Sequence, residues 1–164
     1  MVALRELTEG TALFLPVEVQ GARMWTGGSW AAVGDGVVDN TAIETAMEDL
    51  RIQYVLHKRG AIDGPIAETD THWIVLGFDT TLDGALTVAL QKTIAWLTTA
   101  TSLSQQEVYA LCSIAGDFRV SQYSHQLNTV YSAKQPQSIY ATIPKAIFDA
   151  ATIGRITASF GAVA

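Results

Sequence analysis

The chain has 164 residues, of which 49% are hydrophobic and only 16% charged, with a formal net charge of −6. That composition can bury a sizeable core and argues against disorder. The acidic balance, with no basic run and no basic–aromatic interleaving, argues against nucleic acid or an anionic membrane as a partner.

The N-terminal "MVALRELTEG" carries acidic residues where a secretory leader needs an apolar stretch. No window reaches the ~18 apolar residues of a membrane span. The expectation is a soluble, cytoplasmic protein. A single cysteine, Cys112, excludes an internal disulfide, and its apolar helical setting predicts a buried core thiol.

In chain order, "TALFLPVEV" reads as a strand broken by Pro16, which suits an edge. "GARMWTGGSWAAVGDGVVDNTAIE", Gly21 to Glu44, has the glycine rhythm of an active-site loop. It contains no His or Cys, and its acids are Asp35, Asp39 and the closing Glu44. "VVDNTAIETAM" and "LRIQYVLHK" read as strand-like. The second alternates Leu50, Ile52, Tyr54 and Leu56, as a half-buried strand does. "RGAIDGP" is a turn, and "THWIVLGF" is a short strand.

Leu82, Ala85, Leu86, Ala89, Leu90, Ile94 and Leu97 then recur at helical spacing, with Thr80 or Thr81 as the cap and Asp83 in the first turn. "SQQE" places Ser104 and Glu107 at capping-box spacing before a second helix through Val108, Leu111, Cys112 and Ala115. "DFRVSQY", "SIYATIPKAIF" and "GRITASF" read as strands, with a polar stretch containing His125 after the first. The fold class is α+β, mainly β-sheet and sandwich-like with two helices in the middle. One domain is expected over 1–164: a β lobe at about 1–78, a helical pair at about 80–116 and C-terminal strands at about 117–164.

Four segments in this order carry a resemblance: "GTALFLPVEVQGARMWTGGSWAAVGDG…TAIE", "ETDTHWIVLGFD", "LSQQEVYALCSIAGDFRVSQ" and "ATIPKAIF". Together they resemble the C-terminal half of the acetamidase/formamidase family. The resemblance implies hydrolysis of short amides to a carboxylate and ammonia, assisted by a divalent metal. Family members are about twice as long, so an upstream half is expected to be absent or supplied by a second chain. The family's Gly-Gly-Asn-x-Asp segment falls near "MVALRELTEG", with Ala3 near its Asp.

The family frame Gly-Asp-x-His-Ala-x-x-Gly-Asp-Gly-Glu is matched by Gly27 to Val37. Gly28 stands for the Asp, Trp30 for the His and Val37 for the Glu. Asp35 and Glu44 remain as candidate catalytic acids. Glycine, tryptophan and valine neither bind a metal nor activate a water. No cofactor and no tightly held metal are therefore expected. A small-molecule ligand pocket is expected from Trp25, Trp30, Asp35 and His72.

His72 precedes a strand and reads first as fold support near the site, with a catalytic role second. Asp35 between glycines reads equally as a turn residue. Asp117 and Arg119, two apart on a strand, read as an ion pair. Three functions follow: an amide hydrolase of small amides, a repurposed metal-free enzyme or small-molecule binder with a Trp-lined pocket, and a non-catalytic structural homologue. The low charge fraction and the expected missing half predict a homo-oligomer or a complex with a second chain.

Overall fold

A computed structural model describes residues 2–38, 41–58, 62–123 and 136–160. Its elements are β1 (Ala12–Phe14), β2 (Trp30–Ala32), β3 (Ile43–Glu44), β4 (Ile66–Glu68), β5 (His72–Asp79), α1 (Leu82–Ala100), α2 (Gln105–Ala115), β6 (Asp117–Gln122), β7 (Gln137–Pro144) and α3 (Ala150–Ser159). A five-stranded sheet runs in the order β1-β4-β5-β7-β6, with every neighbouring pair antiparallel. β2 and β3 form a separate two-stranded ribbon. The class is the expected α+β.

Alternation along the strands gives the main sheet two different faces. Trp73 and Val75 of β5 and Ala141 and Ile143 of β7 point to one face, where they pack with Leu97, Val108, Cys112, Ile156 and Phe160 of the helical side. Ile74, Leu76 and Tyr140 point to the other, where the N-terminal Leu4 and Val2 lie against them. The sheet is therefore covered by helices on one side and by the start of the chain on the other.

The helix starts follow their local chemistry. The Thr81 side chain accepts from the backbone N–H of Gly84, and Asp83 lies in the first turn of α1. Ser104 accepts from Glu107 N at 3.3 Å, while Glu107 Oε2 accepts from Ser104 N at 2.8 Å, completing the capping box. Those donors hold the Glu107 carboxyl below its ordinary range. Its contribution is thus present above the unfolded carboxylate pKa and is lost as pH falls through the folded one. Ser104→Ala is expected to cost about 1 kcal/mol, read as a lower urea midpoint at unchanged slope. Cys112 is buried, as expected, and burial raises its thiol pKa.

Three sequence expectations are corrected. "GRITASF" was expected as a strand, but it lies in α3 and its end. Asp149 Oδ1 accepts from Thr152 N at 2.6 Å, and Ile153, Ile156 and Phe160 recur at helical spacing against the core. Its Ile and Thr residues favour strands only where a ladder is within reach. Phe160 stacks on Phe14 at 4.2 Å between ring centroids and on Trp96 at 5.5 Å, tying this helix to the sheet and to α1.

The expected strand "LRIQYVLHK" lies in neither sheet. Leu50, Ile52, Tyr54 and Leu56 are exposed, because alternation alone supplies no ladder partner. "TALFLPVEV" is a strand only as far as Phe14, and Pro16 falls outside it. Short strands β2 and β4 lie within the expected β lobe, in stretches where no individual strand was named. His125 lies outside the described residues. Among those residues no helix is long and apolar enough to cross a membrane.

Candidate functional site

Tyr140 stands at the middle of the face that the N-terminal segment covers. In register it lies between Leu76 of β5 and Arg119 of β6. Its ring is fully buried, and its hydroxyl emerges under two loops.

The first loop is "VGDGVV". Gly36 sits at φ +86° and its carbonyl accepts from Tyr123 N at 2.7 Å, which pins the loop to the end of β6. Glycine serves here because that backbone region penalises a Cβ. The following Val37 also takes a positive φ of 41°, a position disfavoured for a β-branched residue. The result aims Asp35 at the sheet: the Tyr140 hydroxyl lies 3.0 Å from both Oδ1 and Oδ2.

The second is the turn after Leu4. Buried Ala3 and Leu4 anchor it, and Thr11 Oγ1 donates to the Glu6 carbonyl at 2.8 Å. This brings Glu6 Oε1 within 2.9 Å of the same hydroxyl. Glu6 Oε2 is buried and has no hydrogen-bond partner among the described residues.

Two carboxylates thus converge on one phenol, which has a single hydrogen to donate. The counter-charge comes from Arg5, 3.7 Å from Asp35 and 3.8 Å from Glu6. A second guanidinium stands across the strands: Arg119 donates to Asp117 at 3.1 Å, the expected ion pair, and Tyr140 and Asp117 raise its pKa further. The Tyr140 phenol is held above its ordinary pKa, first by burial and then by Glu6 and Asp35, so it stays protonated as a donor. The Asp35 side chain keeps 27% of its exposure and that of Arg5 51%, so the cluster is open on its loop side.

The sequence-predicted residues are distributed differently. Glu44 is exposed on β3, directly across from Trp30 on β2. The Trp30 side chain lies over Gly28, and Trp25 is 75% exposed. His72 begins β5 opposite Pro144, four register positions from the Leu76–Tyr140 pair, and its Nδ1 lies 2.8 Å from Thr71 Oγ1. At ~3.3 Å per residue those positions are roughly 13 Å apart along the strand. Beside the ribbon are two shallow depressions. Ala32, Val33, Gly34, Thr41, Ala42 and Ile43 line one, and Gly28, Ser29, Glu44, Thr45 and Ala46 the other.

Of the candidates, only Asp35 reaches the Tyr140 hydroxyl. Glu6, Tyr140 and Arg5 were not foreseen. The available signal was an acid three residues beyond Ala3, where the resemblance places one.

The divalent metal implied by the resemblance needs several converging carboxylate or imidazole donors. Among the described residues no three His, Cys, Asp or Glu side chains converge. Glu6 and Asp35 meet only around Tyr140, and Arg5 already supplies positive charge beside both. This donor set does not fit a divalent ion.

No family model and no curated protein matches the chain. Solved structures do. An acetamidase from Bacillus halodurans superposes with a TM-score of 0.63 at 26% identity, over 85% of this chain and 44% of that one. An acetamidase from Yersinia enterocolitica gives 0.64 at 22% identity, over 84% of this chain and 39% of that one. The chain spans less than half the length of either. It therefore has an acetamidase/formamidase-like fold, and the partial span fits a resemblance to that family's C-terminal half.

Proposed function

We propose that this chain carries a hydrolytic site for small linear amides, worked by Asp35 with Glu6, Tyr140 and Arg5 and without a resident divalent metal. The observation that supports this reading is the convergence of two carboxylates on the Tyr140 hydroxyl, open to solvent on the Asp35 side. The 26% identity to an acetamidase supports the substrate class.

Asp35 takes a proton from water as the water oxygen bonds to the amide carbon. The developing oxyanion faces the guanidinium of Arg5, which Glu6 helps to hold. When the tetrahedral adduct collapses, the C–N bond breaks. The nitrogen takes the proton back from Asp35, releasing ammonia and a carboxylic acid. Tyr140 does not touch the substrate in this scheme; it fixes both acids.

The test is ammonia release from formamide and acetamide before and after chelation, beside metal analysis of protein purified without added metal. Turnover unchanged by chelator and sub-stoichiometric zinc are expected. Stoichiometric zinc, with activity lost on its removal, would overturn the metal-free reading. A second reading, a small-molecule binder without turnover, is favoured by the 75% exposure of Trp25, an aromatic face available to a flat ligand. Binding of an amide with no ammonia released would select it.

A further inference from the structure

Among the described residues, one run of exposed apolar side chains alternates along the sequence. Leu50 is 61% exposed, Tyr54 63% and Leu56 67%, with Ile52 at 41%. These are the alternating residues of a strand, yet residues 49–57 belong to no sheet. The preceding stretch exposes Val17, Val19 and Trp25 as well. Alternating apolar residues left without a ladder are a template for pairing with another chain.

The segment is complementary to itself. A two-fold axis perpendicular to an antiparallel pair requires partners of equal parity, so that each side chain meets its mate on the same face. Centred on Gln53, this register sets Leu50 opposite Leu56 and Ile52 opposite Tyr54, with all four on one face. The same register sets Glu48 opposite Lys58 and Asp49 opposite His57, an opposite charge or a titratable partner at each end. Of the charged residues in 48–58, only Arg51 faces an apolar mate, Val55, and it already pairs with Asp49 within its own chain.

We propose that residues 48–58 pair antiparallel with the same residues of a second copy of this chain, about a two-fold axis at Gln53. The charge order selects a copy over an unrelated chain, because Glu48 meets Lys58 and Asp49 meets His57 in this register. A two-stranded ribbon alone is marginal, so its apolar face needs backing.

The pairing is tested on the full chain by sedimentation and by cysteine cross-linking. Wild type should sediment at twice the chain mass at high micromolar concentration. Gln53→Cys should form an intermolecular disulfide on mild oxidation, because a residue facing its own mate has a Cα separation of about 4.5–5.5 Å. Arg51→Cys should not, since its two copies stand four positions apart, roughly 13 Å. Cys112 is buried and should contribute no background. Glu48→Lys should weaken association about tenfold, because symmetry repeats the repulsion, and Glu48→Lys with Lys58→Glu should restore it. A monomer at high concentration, a stoichiometric unrelated chain covering the segment, or a dimer indifferent to the charge swap and uncross-linked at position 53 would each overturn the pairing.

Discussion

Asp35→Asn is expected to lower ammonia release from formamide and acetamide at least about 100-fold, the lower end of what a positioned general base contributes. The substitution keeps the shape of the side chain. The Asn carbonyl still accepts from the Tyr140 hydroxyl, and the Gly36–Tyr123 backbone bond that seats the loop is untouched. Folding should therefore survive, and the loss should fall on kcat.

Glu44→Gln separates this site from the one expected in the two-stranded ribbon. Glu44 is exposed beside Trp30, away from Tyr140, so its variant should keep activity within about twofold. Tyr140→Phe should lower activity through misplacement of Asp35, and should also lower stability by about 1–3 kcal/mol by removing the donor shared by two partly buried acids. An Asp35→Asn variant as active as wild type would remove Asp35 as the base. An inactive wild type that still binds amides would leave the fold and select the binding reading.

What the sequence revealed was what short-range rules govern. The Thr81 cap and the Ser104–Glu107 box are decided within four residues, and both stand where spacing placed them. β5 was legible because a buried strand between two layers is apolar almost throughout. The strand expected at 50–56 failed because alternation describes a side chain's fitness for a ladder and does not supply the ladder. α3 was misread for the converse reason: its Ile and Thr residues suit strands, but the Asp149 cap and a core-facing Ile156 decided for helix. The site shows the sharpest limit. Asp35 was visible from its glycine-flanked turn, but Glu6 and Tyr140 stand 134 residues apart, and no spacing rule joins them. Only the sheet register, which seats Tyr140 under both loops, brings them together.

The same sheet sets the largest expected stability effect, Gly77→Ala. Gly77 lies mid-β5 on the helical face, where Ala85 and Ala89 of α1 are fully buried above it. A Cβ there would stand 2.3 Å from Ala89 N and 2.4 Å from the Ala85 carbonyl oxygen. Both are backbone atoms of one helix, so no rotamer change relieves the clash, and α1 must lift from the sheet. That lift would loosen Leu97 from the core that also holds Trp73, Val75 and Ile143. The expected cost is about 3 kcal/mol, the upper end for overpacking. For a chain of this length that is roughly a 10 °C fall in Tm. Gly154→Ala supplies the opposite sign. It is exposed within α3 and a Cβ there meets nothing within 4 Å, so replacing glycine in a helix should raise stability by about 0.5–1 kcal/mol. If thermal denaturation finds Gly77→Ala no less stable than wild type, α1 does not rest on β5 at Gly77, and the close approach of helix to sheet described for this core is wrong.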